Sequence, residues 1–247
     1  MERINKKLRV KLLGFNIDTF KQGDPIKSSV DYALDLIKTG HGGQVVTINP
    51  EMIEFGLKNP EFAQILHNAD LVIPDGVGIK IGLKIKGISA QRIAGIEFSH
   101  KMLEECAKSG FPVALIGAKP NIIEKAAQNL KAEIKNLDIV YLQDGYFHDR
   151  EKVSIELKEK SPNLVLVALG SPRQEEFIVE ARKLLPQAVM VGVGGSFDVW
   201  SGEVQRAPQV YQRLGLEWLY RTLKEPQRFK RIFPTLPRFL FRVLLSK

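Results

Sequence analysis

Four short β-rich runs, Val113 to Gly117, Ile139 to Leu142, Leu164 to Leu169 and Val189 to Val193, are separated by helical patterns beginning near Pro120, Asp149 and Ser171. Parallel neighbours in a sheet need a crossover of a dozen or more residues, and a helix is the usual one. The alternation therefore predicts an α/β fold with a mostly parallel, Rossmann-like sheet and helices on both faces. The first part of the chain is less regular. Leu8 to Ile17 reads as one apolar strand. Asp24-Pro25 supplies a cap and a first-turn proline, and Ile26, Val30, Ala33, Leu34 and Ile37 follow at helical spacing up to Gly40. Val45 to Ile48 is the next strand. Asn49-Pro50 and Asn59-Pro60 then repeat the cap signal before Leu71-Val72-Ile73 returns to the sheet. After Pro208 proline and arginine become frequent, so we expect an α/β core over residues 1–204 and a helical appendage over 205–247.

The location of charge narrows the partners. From Gln205 to Lys247 ten basic residues face two acidic ones, Glu217 and Glu225, so the tail carries the chain's whole net charge of +8. A formally neutral core argues against a general nucleic-acid binder and for a local patch that meets phosphates or anionic lipid. The only cysteine, Cys106, excludes an internal disulfide and falls on an expected helix (Glu97 to Lys108), where packing explains it better than catalysis. Met1 to Lys7 leads into no signal-peptide core, and no apolar run is long enough to span a bilayer. The expectation is a protein on the cytoplasmic side.

Chemistry concentrates where strands stop. Val72-Ile73-Pro74-Asp75-Gly76-Val77-Gly78 puts a carboxylate between an apolar strand and a glycine-rich loop, at the strand end where open α/β sheets bind ligands. Pro-Asp-Gly is also an ordinary turn sequence. Thr47 and Asn49 end their own strand, and if the two strands are neighbours a hydroxyl, an amide and a carboxylate share one crevice; Asn49 is equally a good helix cap. Arg92, in Gln91-Arg92-Ile93-Ala94-Gly95, has a planar fork suited to a phosphate, unless it is a surface residue. Gly170-Ser171-Pro172-Arg173-Gln174-Glu175 opens a helix after a strand, with Ser171 as its expected cap. Gly192-x-Gly194-Gly195-x-x-Asp198 imitates a dinucleotide fingerprint, but it follows the last strand instead of the first, which removes the context a nicotinamide enzyme needs. His41, His67, His100 and His148 are scattered without ligand spacing and no Asp-x-Asp is present, so we expect neither a metal nor a cofactor.

In the tail, Arg221, Arg228 and Arg231 alternate with apolar and aromatic residues, and Leu236, Phe239, Leu240, Val243 and Leu244 recur at roughly helical spacing. Such a helix fits a membrane interface, where basic residues near anionic lipid contribute roughly 1 kcal/mol each. A helix packed on its own core gives the same pattern.

These motifs in this order, together with Arg206-Ala207-Pro208, Glu217-Trp218-Leu219-Tyr220-Arg221 and Glu225-Pro226-Gln227-Arg228, closely resemble the WecG/TagA/CpsF family of bacterial glycosyltransferases from about Leu13 onward. The resemblance implies an inverting transfer of N-acetylmannosamine, or its uronic acid, from UDP onto polyprenyl-diphosphate-linked N-acetylglucosamine in cell-envelope polysaccharide or teichoic acid synthesis. It implies Asp75 as general base, Gln174 facing the donor, Gly194 and Gly195 admitting uridine, Asp198 on the ribose or base, and Arg221, Arg228 and Arg231 on the diphosphate. The acceptor would bring the enzyme to the inner face of the membrane. Another UDP-hexose donor in the same family, a nucleotide-dependent oxidoreductase and a non-catalytic membrane adaptor are the alternatives, and a homo-oligomer is compatible with the sequence.

Overall fold

A computed structural model describes residues 7–20, 23–208, 211, 217, 219, 220 and 229–246, with side chains in the last segment from 234 onward. The chain begins with β1 (Lys7–Leu12) and β2 (Phe15–Phe20), then α1 (Pro25–Lys38), β3 (Gly43–Ile48), α2 (Pro50–Gly56), α3 (Pro60–His67), β4 (Leu71–Pro74) and α4 (Val77–Ile85). It continues through α5 (Gly95–Ser109), β5 (Val113–Gly117), α6 (Pro120–Glu133), β6 (Ile139–Gln143), α7 (Arg150–Lys160) and β7 (Leu164–Ala168). It closes with α8 (Arg173–Ala181), β8 (Val189–Gly192), α9 (Ser196–Trp200) and α10 (Phe229–Leu245).

Six strands form one sheet in the order β4-β3-β8-β7-β5-β6, every pair parallel, as the alternation predicts. Successive side chains divide between its faces. Val45, Leu71, Ile73, Leu115, Leu166 and Val191 meet α1, α5 and α6 on one side. On the other, Val46, Ile48 and Val72 meet α2, α3 and α4, while Ala114, Ile116, Val165 and Val167 meet α7 and α8. The local cap signals hold: Asp24, Asn49 and Asn59 each accept a backbone N–H at the start of a helix that opens with proline.

Two expectations are corrected. Leu8 to Ile17 is a hairpin, not one strand, with Leu12 opposite Phe15. Its two turn residues, Leu13 and Gly14, both have positive φ (51° and 87°), the conformation that matches the twist of a tight antiparallel turn. The hairpin guards the edge of the sheet: Asp18, gripped through two 2.8 Å bonds by Arg9, accepts the Val72 N–H of β4. Ser171 does not cap α8, which starts at Arg173 behind Pro172 with no side-chain cap. Its side chain acts on the buried Glu175 carboxyl instead, favouring the ionised form against burial.

The apolar stripe of the tail turns largely onto the protein. Phe239 and Val243 of α10 are fully buried beside Leu12, Ile53, Ile79 and Leu83. Gly78 and Gly82 of α4 make the seat: a Cβ on Gly78 would stand 2.7 Å from a Leu236 methyl, and one on Gly82 would stand 3.2 Å from the Phe239 ring. Arg242 holds α10 to α2 through the buried Glu54, at 3.0 Å. Phe241, Leu244 and Leu245 face outward, each more than 60 % exposed. Among the described residues no helix is long and apolar enough to cross a membrane.

Candidate active site

β3 and β8 are neighbours whose chains leave in opposite directions. After β3 the chain enters α2 on the Val46 face, and after β8 it enters α9, whose Phe197 packs on the Val45 face. Diverging loops at the carboxyl ends of parallel strands leave a crevice, the usual ligand position in sheets of this kind. Here it is a cleft of about 590 Å³, within the range of small-molecule sites.

Asp75 follows β4 directly, fixed by its own N–H on Ile48 O at 2.9 Å. Its Oδ1 accepts the Gly76 N–H at 2.7 Å, and Gly76 adopts φ 82°, ψ 146°, a conformation practically reserved for glycine. Gly95 lets α5 start close by, since a Cβ there would lie 2.9 Å from the Thr47 methyl and 3.3 Å from Asp75 Oδ2. Burial between the cleft walls pushes the Asp75 carboxyl above its ordinary pKa, against the pull of Arg92 and of the Gly76 and Gly95 N–H groups. The side chain remains 31 % exposed, so its base strength is raised while its oxygen stays reachable.

The structure brings Thr47, Asn49, Arg92, Gln174, Gly194, Gly195 and Asp198 to the same cleft. Several are already engaged. Thr47 donates to Gly192 O at 3.3 Å, and Asn49 Oδ1 caps α2 through Met52 N, so its cap role is real and its amide nitrogen is what the cleft can use. Gln174 Oε1 accepts the Gly194 N–H at 3.1 Å while its Nε2 donates to Glu175 at 2.7 Å, which orders the glycine loop. Arg92 directs Nε toward Asp75 at 3.5 Å and bonds Glu217 through Nη2, so serving as a phosphate fork would require it to exchange a carboxylate for the phosphate. Arg221 and Arg228 lie outside the described residues, as does the side chain of Arg231.

Part of the cleft wall lies outside the residues expected from the sequence. Glu217, Thr235 and Leu236 bring the C-terminal segment into the cleft wall. Glu217 is 7 % exposed; burial raises its pKa, but Arg92 and Arg206 outweigh that and hold it below the ordinary value. An acid in a strongly basic tail was the available signal. Cys106 is buried in α5 with its thiol pushed up to about 12, which leaves it inert packing. No three described His, Cys, Asp or Glu side chains stand together as a metal site.

A wholly parallel six-stranded sheet with a carboxylate lining a cleft at its strand ends places the chain in the α/β class that binds ligands there. Residues 10–247 match the glycosyl transferase WecG/TagA/CpsF family, and the chain belongs to that family. It is similar to two proteins named N-acetylglucosaminyldiphosphoundecaprenol N-acetyl-beta-D-mannosaminyltransferase. The one from Bacillus spizizenii (strain ATCC 23059 / NRRL B-14472 / W23) is 38 % identical over 204 residues, 82 % of this chain and 79 % of the relative. The other, from Bacillus subtilis (strain 168), is 37 % identical with the same coverage.

Proposed function

We propose that this glycosyltransferase moves N-acetylmannosamine from UDP to the N-acetylglucosamine of a polyprenyl diphosphate, with inversion, as a step in cell-envelope polysaccharide or teichoic acid synthesis. The observation that carries the reading is the position of Asp75, reachable at the cleft floor with its base strength raised by burial. An acceptor hydroxyl attacks the anomeric carbon, Asp75 takes the hydroxyl proton, and the bond to the diphosphate breaks on the opposite face. Thr47 and Asn49 position the sugar, the loop at Gly194 and Gly195 admits the nucleotide and Asp198 meets its ribose or base. Arg221, Arg228 and Arg231 offset the charge that develops on UDP.

A lipid-linked acceptor calls for work at a membrane surface. Supporting this, α10 contributes Leu236 to the cleft and presents Phe241, Leu244 and Leu245 outward from the same helix, beside the basic Arg238. In this reading residues 205–247 both dock and close the site, at the inner face of the cell membrane. Incubation with a panel of UDP-sugars and a short-chain lipid-diphosphate N-acetylglucosamine tests the function. Release of UDP with UDP-N-acetylmannosamine alone supports it; turnover confined to the uronate or to a glucose or galactose donor replaces the donor, and none with any UDP-sugar rejects the reading.

A further inference from the structure

Glu217 belongs to the tail, yet its carboxylate lies in the wall of the cleft. Arg92 Nη2 bonds its Oε2, and Arg206 Nε stands 3.2 Å from its Oε1. Arg92 is shared in turn, with Nε 3.5 Å from Asp75 Oδ1, too long for a good hydrogen bond but close for two charges. Arg206 extends the row by bonding Glu97 in the first turn of α5. Charge therefore alternates along Asp75, Arg92, Glu217, Arg206 and Glu97, from the end of β4 through the tail to α5.

We propose that Glu217 is a positioning residue for the transfer reaction: it holds Arg92 and shares its charge, and so sets how strongly that guanidinium acts on Asp75. The proposal rests on Asp75 being the base. A guanidinium with no other partner would favour the ionised carboxylate and weaken it as a proton acceptor. A second carboxylate on the far side of the guanidinium draws part of that field away, and Arg206 limits how much by neutralising Glu217 in its turn. The other groups that face Asp75 are the Gly76 and Gly95 N–H groups. Glu51 of α2 and Asp198 of α9 add the remaining described acidic side chains of the cleft wall.

The row predicts opposite signs for two neutralising substitutions. Glu217→Gln removes a negative charge and leaves Arg92 wholly to Asp75, so the Asp75 titration midpoint falls, by roughly half a pH unit to one unit. Arg206→Gln leaves Glu217 more strongly negative, so the midpoint rises. Glu217→Asp, which keeps the charge, returns it toward the parent value. The measurement is carboxyl 13C NMR on the full chain labelled at aspartate, the Asp75 signal being identified by its loss in Asp75→Asn. The acid limb of the kcat profile should move with the midpoint, with kcat altered more than the donor KM. An ion pair that only stabilises the fold would change melting without this reversal of sign. Unmoved midpoints, or two shifts in the same direction, overturn the proposal. A midpoint that reverses as stated while the acid limb stays fixed keeps the coupling and rejects Asp75 as the base. If Glu217→Gln does not fold, the upward shift in Arg206→Gln, a half-buried position, decides alone.

Discussion

Phe239 of α10 rests on Gly82 of α4 so closely that a Cβ on the glycine would lie 3.2 Å from the ring's Cζ. The last helix is thus built into the core that also packs β3 and β4, the strands that deliver Thr47 and Asp75. Phe239→Ala should cost about 3–5 kcal/mol, as for other large buried aromatics. Gly82→Val should cost about 1–3 kcal/mol by overpacking the seat. Urea unfolding measures both, and unchanged midpoints would mean that α10 is not seated there.

The outward side of the same helix should behave in the opposite way. Phe241→Ser with Leu244→Ser removes two side chains that are 62 % and 63 % exposed, so stability should change by no more than about 0.5 kcal/mol for each. Sedimentation with anionic vesicles should weaken, and added salt should weaken it further by screening the basic residues. Vesicle binding equal to the parent's would remove this face from membrane docking.

These two sides show what a sequence can and cannot tell. The spacing of Leu236, Phe239, Leu240, Val243 and Leu244 marks a helix whatever covers it, because an apolar stripe is the same for a bilayer and for a core. Only the tertiary fold puts Phe239 on Gly82. Cap signals at Asp24, Asn49 and Asn59 were legible because each bond closes within three residues. The hairpin at Leu13 was not, since a leucine at φ 51° is outside what turn composition leads one to expect. Asp75, Thr47 and Gln174 were legible as strand-end and helix-start residues. Glu217 was not, because its meaning comes from Arg92, 125 positions earlier in the chain.

Glu175, bonded to the Gln174 side chain that orders the glycine loop, supplies a pH test. Burial pushes its carboxyl from 4.5 up to about 7. Between those values the native state holds a proton that the unfolded chain has released, so stability falls as pH rises through the window. Below it both states are protonated; above it the fold contains a buried anion. Glu175→Gln keeps an acceptor for Gln174 Nε2 and should flatten the dependence, with a gain on the order of 2–3 kcal/mol at pH 8. Melting curves from pH 5 to 8 check this, and parallel slopes for the two proteins would contradict it.

Turnover should persist in EDTA. In the proposed reaction Arg221, Arg228 and Arg231 offset the charge of the leaving diphosphate, the task a divalent ion performs in enzymes that carry a paired-carboxylate motif. Loss of activity with chelator, restored by manganese or magnesium, would show that the arginines do not suffice.

In the proposed reaction Asp75 accepts the proton of the attacking hydroxyl, and the rate of Asp75→Asn on UDP-N-acetylmannosamine and a short-chain lipid-linked acceptor is the decisive measurement. The amide can still accept the Gly76 N–H and occupy the same space, so melting and UDP-sugar affinity should stay near the parent's. Turnover should fall by about 10²- to 10⁴-fold, the usual contribution of a positioned base. A folded Asp75→Asn protein that binds donor and turns over at the parent rate would show that another group takes the proton.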